Sequence, residues 1–472
     1  MLFSPLKPRQ GKKLQPNKRQ QRAKLSNIIF ILFSVLGVII FWVGFQVAPQ
    51  RLSLALSRRV PRAKSSLPLF VKPPPHSLLS HATVPQVDAY INGTSTSNTA
   101  QSTWLGSMKY LESPSCKQYA SCEIHFPFLD IEEEGADWAE ERIRNHIDKR
   151  TDYAVLTRKG FKALVTNVKS NQDRAFVIAP LEAVEESALP VGPDDFLMGL
   201  FDGHGPVGHG TAHFAAMELP ALILRNMQRR KKFIPARHVT EGVQSALKDS
   251  FVSLDENIPF LETSGSTGII ILRLGTHLFF ASTGDSQAFL IKADTARQGP
   301  DAVTIVQSTI PHKPDQVMET ARIRSAGGSV IPKTNMDTSS RVIIPVGEDG
   351  TTLALAMSRS LGDPEGKNAN VIIPDPNVDF IDLAKLEQPQ QQTDAPSQPR
   401  YFVVVASDGL LDKISPLKVA QRMAQSFYHE TPPNPLMAAN ELIQSASQMW
   451  FSGGDMMRYR DDISIAVKMI DL

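Results

Sequence analysis

Ten short apolar runs, bounded by turn residues, constrain what the chain can fold into from Tyr153 onward. They lie at 153–156, 175–179, 196–201, 268–274, 277–283, 286–291, 341–345, 353–357, 401–406 and 463–469. Runs of this length are typical of strands, and tight turns between several of them favour antiparallel pairing. Helical patterns fall between them, at Thr211–Met227, Val239–Asn257, Gln316–Ser325, Pro416–Ser426 and Asn434–Trp450. Strand clusters with inserted helices predict an α+β fold rather than a doubly wound parallel sheet.

The beginning of the chain has a different character. Residues 1–87 contain no Asp or Glu, and residues 1–27 form a basic arm. Residues 28–47 then continue without a charge, and 20 such residues in a helix cover about 30 Å, the hydrocarbon thickness of a bilayer. This run predicts a single transmembrane helix. A buried core helix and a cleaved signal peptide are the alternatives, but the run is too long for a signal peptide and no A-x-A-like site follows it.

The compartment is left open between two alternatives. The basic arm outweighs the positive charges beyond residue 47, so the positive-inside rule favours an N-terminus on the inner side. Asn92-Gly93-Thr94 is a sequon that would matter in a secretory lumen. An acid-free basic N-terminus also suits mitochondrial import. We expect a single-pass membrane protein of the secretory pathway or of mitochondria.

The remaining organisation follows from composition. Residues 48–106 are rich in Pro, Ser and Thr and predict a stalk, residues 107–151 form an N-terminal extension, and residues 152–472 form the globular domain. The Gln/Pro-rich segment 384–399 predicts a surface insertion in that domain. A net charge of +2 argues against a nucleic-acid binder. Cys116 and Cys122 either pair or remain two free thiols.

Five aspartates occupy equivalent places beside the apolar runs: Asp173, Asp202, Asp285, Asp408 and Asp461. Aspartate favours turns for conformational reasons, which suffices to explain any one of them. Several such acids in one site would repel each other unless cations neutralised them. A two-metal centre does so and also activates a water for attack on a phosphoryl group. The five together therefore predict a metal site.

Two other motifs overlap the stretch around Asp202. Three glycines there match the G-x-G-x-x-G dinucleotide fingerprint, but the acid expected about 20 residues later is replaced by a basic run at 229–232. A nicotinamide-dependent dehydrogenase is therefore a minor alternative. His209 and His213 stand four residues apart, as zinc ligands do, but Gly210 occupies the place of the catalytic Glu. We interpret both histidines as surface residues at a helix start.

Nine sequence blocks, taken in order, resemble the metal-dependent type-2C protein serine/threonine phosphatases, the PPM family. They are NQDR (171–174), FDGHG (201–205), GSTG (265–268), STGDSQA (282–288), HKPD (312–315), RIRSAGG (322–328), LAMSRSLGD (355–363), ASDGLLD (406–412) and RDDISI (460–465). The resemblance covers about 152–470 and implies two antiparallel sheets packed as a β-sandwich, with helices on both outer faces. It also implies a Mg²⁺ or Mn²⁺ site at one end of the sandwich, and we expect a monomer.

The resemblance also implies roles for single residues. Asp202 would bridge two metal ions and the Gly203 carbonyl would bind one of them, while Asp173 would act mainly through coordinated waters. His204 would be the general acid toward the seryl or threonyl oxygen, and an unperturbed pKa near 6.5 suits such work.

Four acids complete the set that the resemblance implies. Asp408 and Asp461 would complete the shell of one ion. Asp285 and Asp412, together with Asp408, resemble the ligands of a weaker third metal site.

The sequence departs from the family pattern at several positions. Gln172 stands where many members have Glu, Gln287 replaces an Arg, and Asp462 replaces an Asn. The phosphate-binding Arg of the family has no clear counterpart, and Arg158 and Lys169 are the nearby candidates. These departures affect substrate binding and rate but leave the main metal ligands intact.

The sequence therefore predicts a membrane-anchored phosphatase that hydrolyses phosphoserine and phosphothreonine in proteins with a metal-activated water. The rival hypothesis is a weakly active homologue that serves as a phosphoprotein-binding scaffold. Missing metal-binding acids would have favoured the scaffold, and none of the main ones is missing.

Overall fold

The structure is a computed structural model. It describes residues 152–162, 171–181, 191–231, 239–259, 263–297, 302–333, 339–345, 352–386, 399–451 and 459–471. The predicted arm, transmembrane helix, stalk and extension lie outside these ranges, as do Lys169 and most of the predicted insertion. Those domain limits stay predictions. Within the described ranges, no helix has the length and apolarity needed to cross a membrane.

Groups of consecutive strands are separated by helices along the described residues. The strands are β1 (Tyr153–Arg158), β2 (Phe161–Lys162), β3 (Asp173–Ile178), β4 (Phe196–His204), β5 (Gly265–Ser266), β6 (Gly268–Leu274), β7 (His277–Thr283), β8 (Gln287–Ala293), β9 (Val303–Ser308), β10 (Ser329–Ile331), β11 (Arg341–Pro345), β12 (Thr352–Leu355), β13 (Leu361–Gly362), β14 (Asn377–Asp382), β15 (Arg400–Ala406), β16 (Tyr459–Arg460) and β17 (Ile463–Ile470). The helices are α1 (Gly208–Lys231), α2 (Val239–Asp255), α3 (Val317–Ser325), α4 (Pro364–Asn368), α5 (Asp408–Leu411), α6 (Pro416–His429) and α7 (Pro435–Phe451).

Two antiparallel sheets organise these strands. One has the order β1-β17-β15-β8-β9, and the other has the order β13-β5-β4-β6-β7-β14 with β3 paired to β4. A separate three-stranded sheet has the order β10-β11-β12, and β16 pairs with β2 in a two-stranded sheet. All ten predicted apolar runs fall on strands of these sheets, because each run supplies residues that are buried on one or both faces.

Apolar side chains pack in three layers, one between the two large sheets and one on the outer face of each sheet. Side chains from both large sheets meet in one cluster, including Val177, Phe280, Leu290 and Val403. The opposite face of the β4 sheet packs against α1 and α2, and the opposite face of the β15 sheet packs against α6 and α7. Successive residues of a strand point to opposite faces, so neighbouring apolar residues enter different clusters. The predicted α+β sandwich with outer helices is confirmed.

The packing between the sheets generates a stability prediction. Phe280 is fully buried in the cluster shared by both sheets, whereas Phe380 on the edge strand β14 is 43% exposed. We expect Phe280→Ala to lower the free energy of unfolding by about 3–5 kcal/mol. The matched variant Phe380→Ala loses a ring contact with Phe279, whose centroid lies 6.0 Å away. We expect this loss to lower the free energy of unfolding by less than about 1.5 kcal/mol. Urea denaturation of the purified chain measures both, and equal losses would contradict the assigned layers.

Candidate metal centre

The predicted acids gather at one end of the sandwich because of how antiparallel strands begin and end. Asp173 opens β3 and lies directly across from Asp202 near the end of β4. In the other sheet Asp461 lies just before β17, and Asp408 follows β15 after one residue. Ala406, the last residue of β15, pairs with Ile465 near the start of β17. Strand ends and strand starts therefore place four acids on the same side of the fold.

The fifth acid reaches the same end through a turn between the sheets. Asp285 lies in the turn Gly284–Ser286, which joins β7 of one sheet to β8 of the other. Gly284 has a φ of 93°, a conformation that favours glycine, and a side chain on it would lie 2.7 Å from Thr267. The tight turn keeps Asp285 beside the acids of both sheets.

Electrostatic interactions link Asp202 to the other four acids. Burial raises the pKa of the Asp202 carboxyl well above its usual range, and the charges of Asp173, Asp408, Asp461 and Asp285 raise it further. Like charges within a few ångströms disfavour ionisation in this way. The predicted cluster is thus brought together by the fold.

Asp408 and Asp412 extend the cluster through the short helix α5. Burial raises the pKa of Asp408 well above its usual range, and the charges of Asp285 and Asp461 add to the effect. Burial also raises the pKa of Asp412, against the opposing effect of the Lys313 ammonium. Both acids therefore face the same charge-rich region as Asp285.

Asp173 is a buried carboxylate with little compensation from its neighbours. Its side chain is fully buried, and neither carboxylate oxygen has a hydrogen-bond partner of ordinary geometry among the described residues. Burial and the charge of Asp462 raise the pKa of Asp173 to about 7, although the nearby Ser464 hydroxyl opposes the rise. A buried carboxylate without a partner is costly. A cation supplied from solution would offset that cost.

The residues present fit a hard divalent cation. In the described part of the chain, no group of three or more acids, histidines or cysteines is already arranged around a common point that could hold an ion. Carboxylates and backbone carbonyls, with water completing the shell, are nevertheless the donors that Mg²⁺ and Mn²⁺ prefer. Gly203, whose carbonyl is the predicted backbone donor, follows Asp202 in β4, and a side chain there would lie 2.5 Å from the Gly208 carbonyl oxygen. The backbone at Gly203 is thus closely packed beside Asp202.

A lysine that the sequence reasoning did not single out already neutralises part of the cluster. Lys313, in the HKPD block, donates a hydrogen bond from Nζ to Asp285 Oδ2. Burial opposes the charge on Lys313, but Asp285 and Asp408 outweigh it and raise the pKa of the ammonium. Asp285 and Asp412, the acids of the predicted third site, therefore have a cation of the protein beside them.

Asp461 is held by an aromatic neighbour. The Tyr459 hydroxyl donates to Asp461 Oδ2 at 2.8 Å, and the Tyr459 ring packs edge-on against Trp450 with centroids 5.7 Å apart. The Trp450 indole donates to the Gly409 carbonyl at 2.8 Å, and Lys413 Nζ lies 3.6 Å from the indole centroid. Sequence patterns could not connect these residues because the contacts are made between separate elements.

Two departures from the family pattern have structural roles. Asp462 accepts hydrogen bonds from the backbone N–H of Gly160 and from that of Gln172, the latter at 2.8 Å. The Gln172 side chain donates to the Gly205 carbonyl at 2.7 Å. A side chain on Gly160 would lie 2.6 Å from the Arg460 carbonyl oxygen. Asp462 and Gln172 therefore hold the turns around the acids in place.

His204 is paired with an acid that the sequence analysis did not assign. His204 Nε2 lies 2.8 Å and 3.0 Å from the two carboxylate oxygens of Asp363, which is fully buried. Burial favours the neutral imidazole, but the Asp363 charge and hydrogen bond outweigh it and raise the pKa of His204. Burial raises the pKa of Asp363, yet the interactions with His204 and Ser360 outweigh it and lower that pKa. The pair is stabilised in its charged form.

The remaining predicted residues have mixed outcomes. Arg158 is the last residue of β1 and pairs with Ile463, which places it at the acid end of the sandwich. The interpretation of His209 and His213 as surface residues is wrong, because their exposed fractions are only 2% and 7%. Burial, aided by the charge of Arg174, lowers the pKa of His213 to about 3. These histidines lie in the first two turns of α1, where the helix packs on the β4 sheet.

With this geometry in hand, comparison with known proteins shows the family. A family model described as protein phosphatase 2C matches residues 158–450. The match spans more than half of the chain, and the chain belongs to the protein phosphatase 2C family. The resemblance that the nine sequence blocks indicate is thereby confirmed.

Individual relatives agree with this assignment. The chain is 30% identical over 266 residues to "Probable protein phosphatase 2C 64" of Oryza sativa subsp. japonica, covering 55% of each chain. It is 33% identical over 224 residues to "Protein phosphatase 1L" of Bos taurus, covering 46% of this chain and 52% of the relative. The chain therefore spans about half the length of these relatives. A solved serine-threonine phosphatase 2C from Toxoplasma gondii matches with a TM-score of 0.49 and 19% identity, covering 68% of this chain and 95% of that chain.

The raised pKa of Asp173 generates a pH prediction. A carboxyl with a folded-state pKa of about 7 and an ordinary unfolded value stabilises the fold below about pH 4 and loses that stability as pH rises to about 7. An Asn side chain at position 173 cannot ionise, so the variant does not lose this stability as pH rises. We expect Asp173→Asn to gain stability relative to the wild type, by on the order of a few kcal/mol between pH 5 and 8 without metal. Urea denaturation in EDTA at several pH values measures this, and a pH-independent difference would contradict it.

Proposed function

We propose that this chain is a membrane-anchored, Mg²⁺- or Mn²⁺-dependent protein serine/threonine phosphatase. The observation that carries the proposal is the cluster of mutually repelling carboxylates around Asp202, at one end of a sandwich in a protein phosphatase 2C family member. Such a cluster is unfavourable by itself and becomes favourable when cations neutralise it. Its partners would be phosphorylated proteins, and we expect the chain to act as a monomer.

The acids divide into three groups toward the cations. Asp202 would hold both ions, and the Gly203 carbonyl would bind one of them. Asp408 and Asp461 would complete the shell of one ion, and Asp173 would act mainly through coordinated waters. Two divalent cations, when bound, would neutralise these charges and activate a water for in-line attack on the phosphoryl group. Tyr459 supports this set by fixing one carboxylate oxygen of Asp461.

A third, weaker cation site is part of the same proposal. Asp285 and Asp412, with Asp408, would form it. Because Lys313 already donates to Asp285, a cation there would compete with the ammonium for the same carboxylate. This competition would make the third site weaker than the other two.

Side chains of the protein would also act on both ends of the breaking P–O bond, the leaving oxygen and the phosphoryl group. A seryl or threonyl oxygen is a poor leaving group, so it needs a proton as the P–O bond breaks. His204 would supply that proton, and its ion pair with Asp363 favours the protonated imidazole. The Arg158 guanidinium can bind phosphate oxygens in a bidentate manner. Lys169 is the alternative phosphate-binding residue.

Replacement of Asp202 tests the proposed function directly. Metal ions at such sites contribute several kcal/mol to the transition state, so we expect Asp202→Ala to lower Mn²⁺-dependent hydrolysis of a phosphothreonine peptide by roughly 1000-fold or more. Asp194→Ala is the matched control, because Asp194 is an exposed aspartate just before the other end of β4. Released phosphate measures turnover. Undiminished turnover by the Asp202 variant would refute the assignment.

The anchor is proposed from the length and apolarity of residues 28–47. A fluorescent tag on each terminus, combined with carbonate extraction and organelle markers, tests it. We expect the chain to resist carbonate extraction, with the two tags on opposite sides of one membrane of the secretory pathway or of mitochondria. Deletion of 28–47 should release the chain into the carbonate supernatant. Full release of the intact chain would contradict the anchor.

A further inference from the structure

We propose that Asp363 is a positioning residue, which fixes the imidazole of His204 in the orientation needed for proton donation to the leaving oxygen. The inference rests on the proposed phosphatase function and deepens it. Asp363 contributes a fully buried carboxylate whose oxygens lie 2.8 Å and 3.0 Å from His204 Nε2. The Ser360 hydroxyl is the other side-chain group that donates to it in the described residues.

A continuous ladder of strands connects the two residues. Asp363 follows β13, β13 pairs with β5, and β5 pairs with Gly203 and His204 of β4. The Asp363 backbone N–H also donates to the Ser264 carbonyl at 2.9 Å. Residues held on hydrogen-bonded strands keep their separation, so the carboxylate is a rigid reference point for the imidazole.

The local backbone is adapted to present this carboxylate. Asp363 has a φ of 53°, in the left-handed region that is unfavourable for residues other than glycine, asparagine and aspartate. Gly265 leaves the space that the carboxylate occupies, because a side chain there would lie 2.3 Å from Asp363 Oδ2. The left-handed turn at Asp363 and the absence of a side chain at Gly265 together leave room for this carboxylate.

A purely structural role for the Asp363 carboxylate is less well supported. Asp363 precedes α4, yet its side chain makes no capping hydrogen bond to that helix. The surrounding loop is held instead by Asp255, which accepts from the Gly362 N–H at 2.8 Å and from Lys367 Nζ at 2.6 Å. Lys367 Nζ also donates to the Ser360 and Gly362 carbonyls at 2.9 Å and 2.7 Å. Asp255 and Lys367 therefore hold the loop by hydrogen bonds, whereas the Asp363 carboxylate contacts His204.

The contact between the Asp363 carboxylate and the His204 imidazole has a chemical consequence. A carboxylate that accepts from one imidazole nitrogen fixes the orientation of the ring and stabilises the imidazolium, as the aspartate of a catalytic triad does. His204 Nδ1, the other ring nitrogen, is buried and has no hydrogen-bond partner among the described residues. Without Asp363, the His204 ring would lose its only described side-chain partner. Its rotation would then reduce proton donation without removing the imidazole.

The dependence on the leaving group separates positioning from a general structural effect. We expect Asp363→Asn to lower kcat/KM by about 10- to 100-fold with phenyl phosphate, whose leaving group needs a proton, since general acids contribute roughly 100-fold or more. With 2,4-dinitrophenyl phosphate, whose leaving group does not, the loss should stay within about 3-fold. Asp255→Asn is the matched control, because this largely buried acid at the end of α2 holds the same loop, and it should affect both substrates equally.

A double-mutant cycle with His204→Ala identifies the route of the effect. If Asp363 acts through His204, Asp363→Asn should cause no further loss with phenyl phosphate in the His204→Ala background. Asp363→Gly, which suits the positive φ, should reproduce the leaving-group effect of Asp363→Asn. This second variant keeps the test valid if the asparagine variant unfolds. Mn²⁺ affinity, followed by calorimetry, should stay within about 3-fold in both variants because neither removes a proposed ligand.

The inference is overturned if Asp363→Asn slows both substrates equally, or if it adds a further loss on top of His204→Ala. It is also overturned if Asp255→Asn discriminates between the substrates as strongly as the Asp363 variants. Failure of the wild-type chain to hydrolyse either substrate with Mn²⁺ would instead contradict the proposed function, so the two failures are distinguishable.

Discussion

Repulsion among buried and half-buried carboxylates at one end of the sandwich is the interaction on which the account of this protein depends. Burial and four neighbouring acids raise the pKa of Asp202, and burial with neighbouring acids does the same for Asp173 and Asp408. A fold that brings so many like charges together loses stability unless something neutralises them. Lys313 neutralises Asp285 in part, and in the proposed function cations from solution would neutralise the other acids.

The sandwich makes this convergence possible. Five of the acids lie at or within two residues of a strand start or end, and the two sheets face each other across one apolar layer. Antiparallel pairing brings strand starts beside strand ends, so acids that are far apart in the sequence meet at one edge. The apolar layers behind them keep the acids together despite their repulsion. Stability supplied by the core therefore supports a locally unfavourable site.

Much of this architecture could be predicted from the sequence, because buried strands carry continuous apolar runs. The strands that were missed include β9 and β14, which lie at sheet edges and are half exposed. Edge strands bury fewer side chains and show no such run. The aspartates of the centre could be predicted from their turn positions. Asp363 could not, because its partner His204 lies 159 positions away in the sequence and its block carries no charge pattern. The exposure of His209 and His213 was predicted wrongly, because polar residues at the start of a helix are usually taken for surface residues.

The most direct test of the central claim is a calorimetric titration of the metal-free chain with Mn²⁺ near neutral pH. The account predicts saturable binding of at least two ions to the wild type. It also predicts affinity weakened by about 10-fold or more in Asp202→Asn and Asp408→Asn, because each variant removes a carboxylate ligand. Absence of saturable binding, or unchanged binding in both variants, would contradict the claim that this cluster is a metal centre.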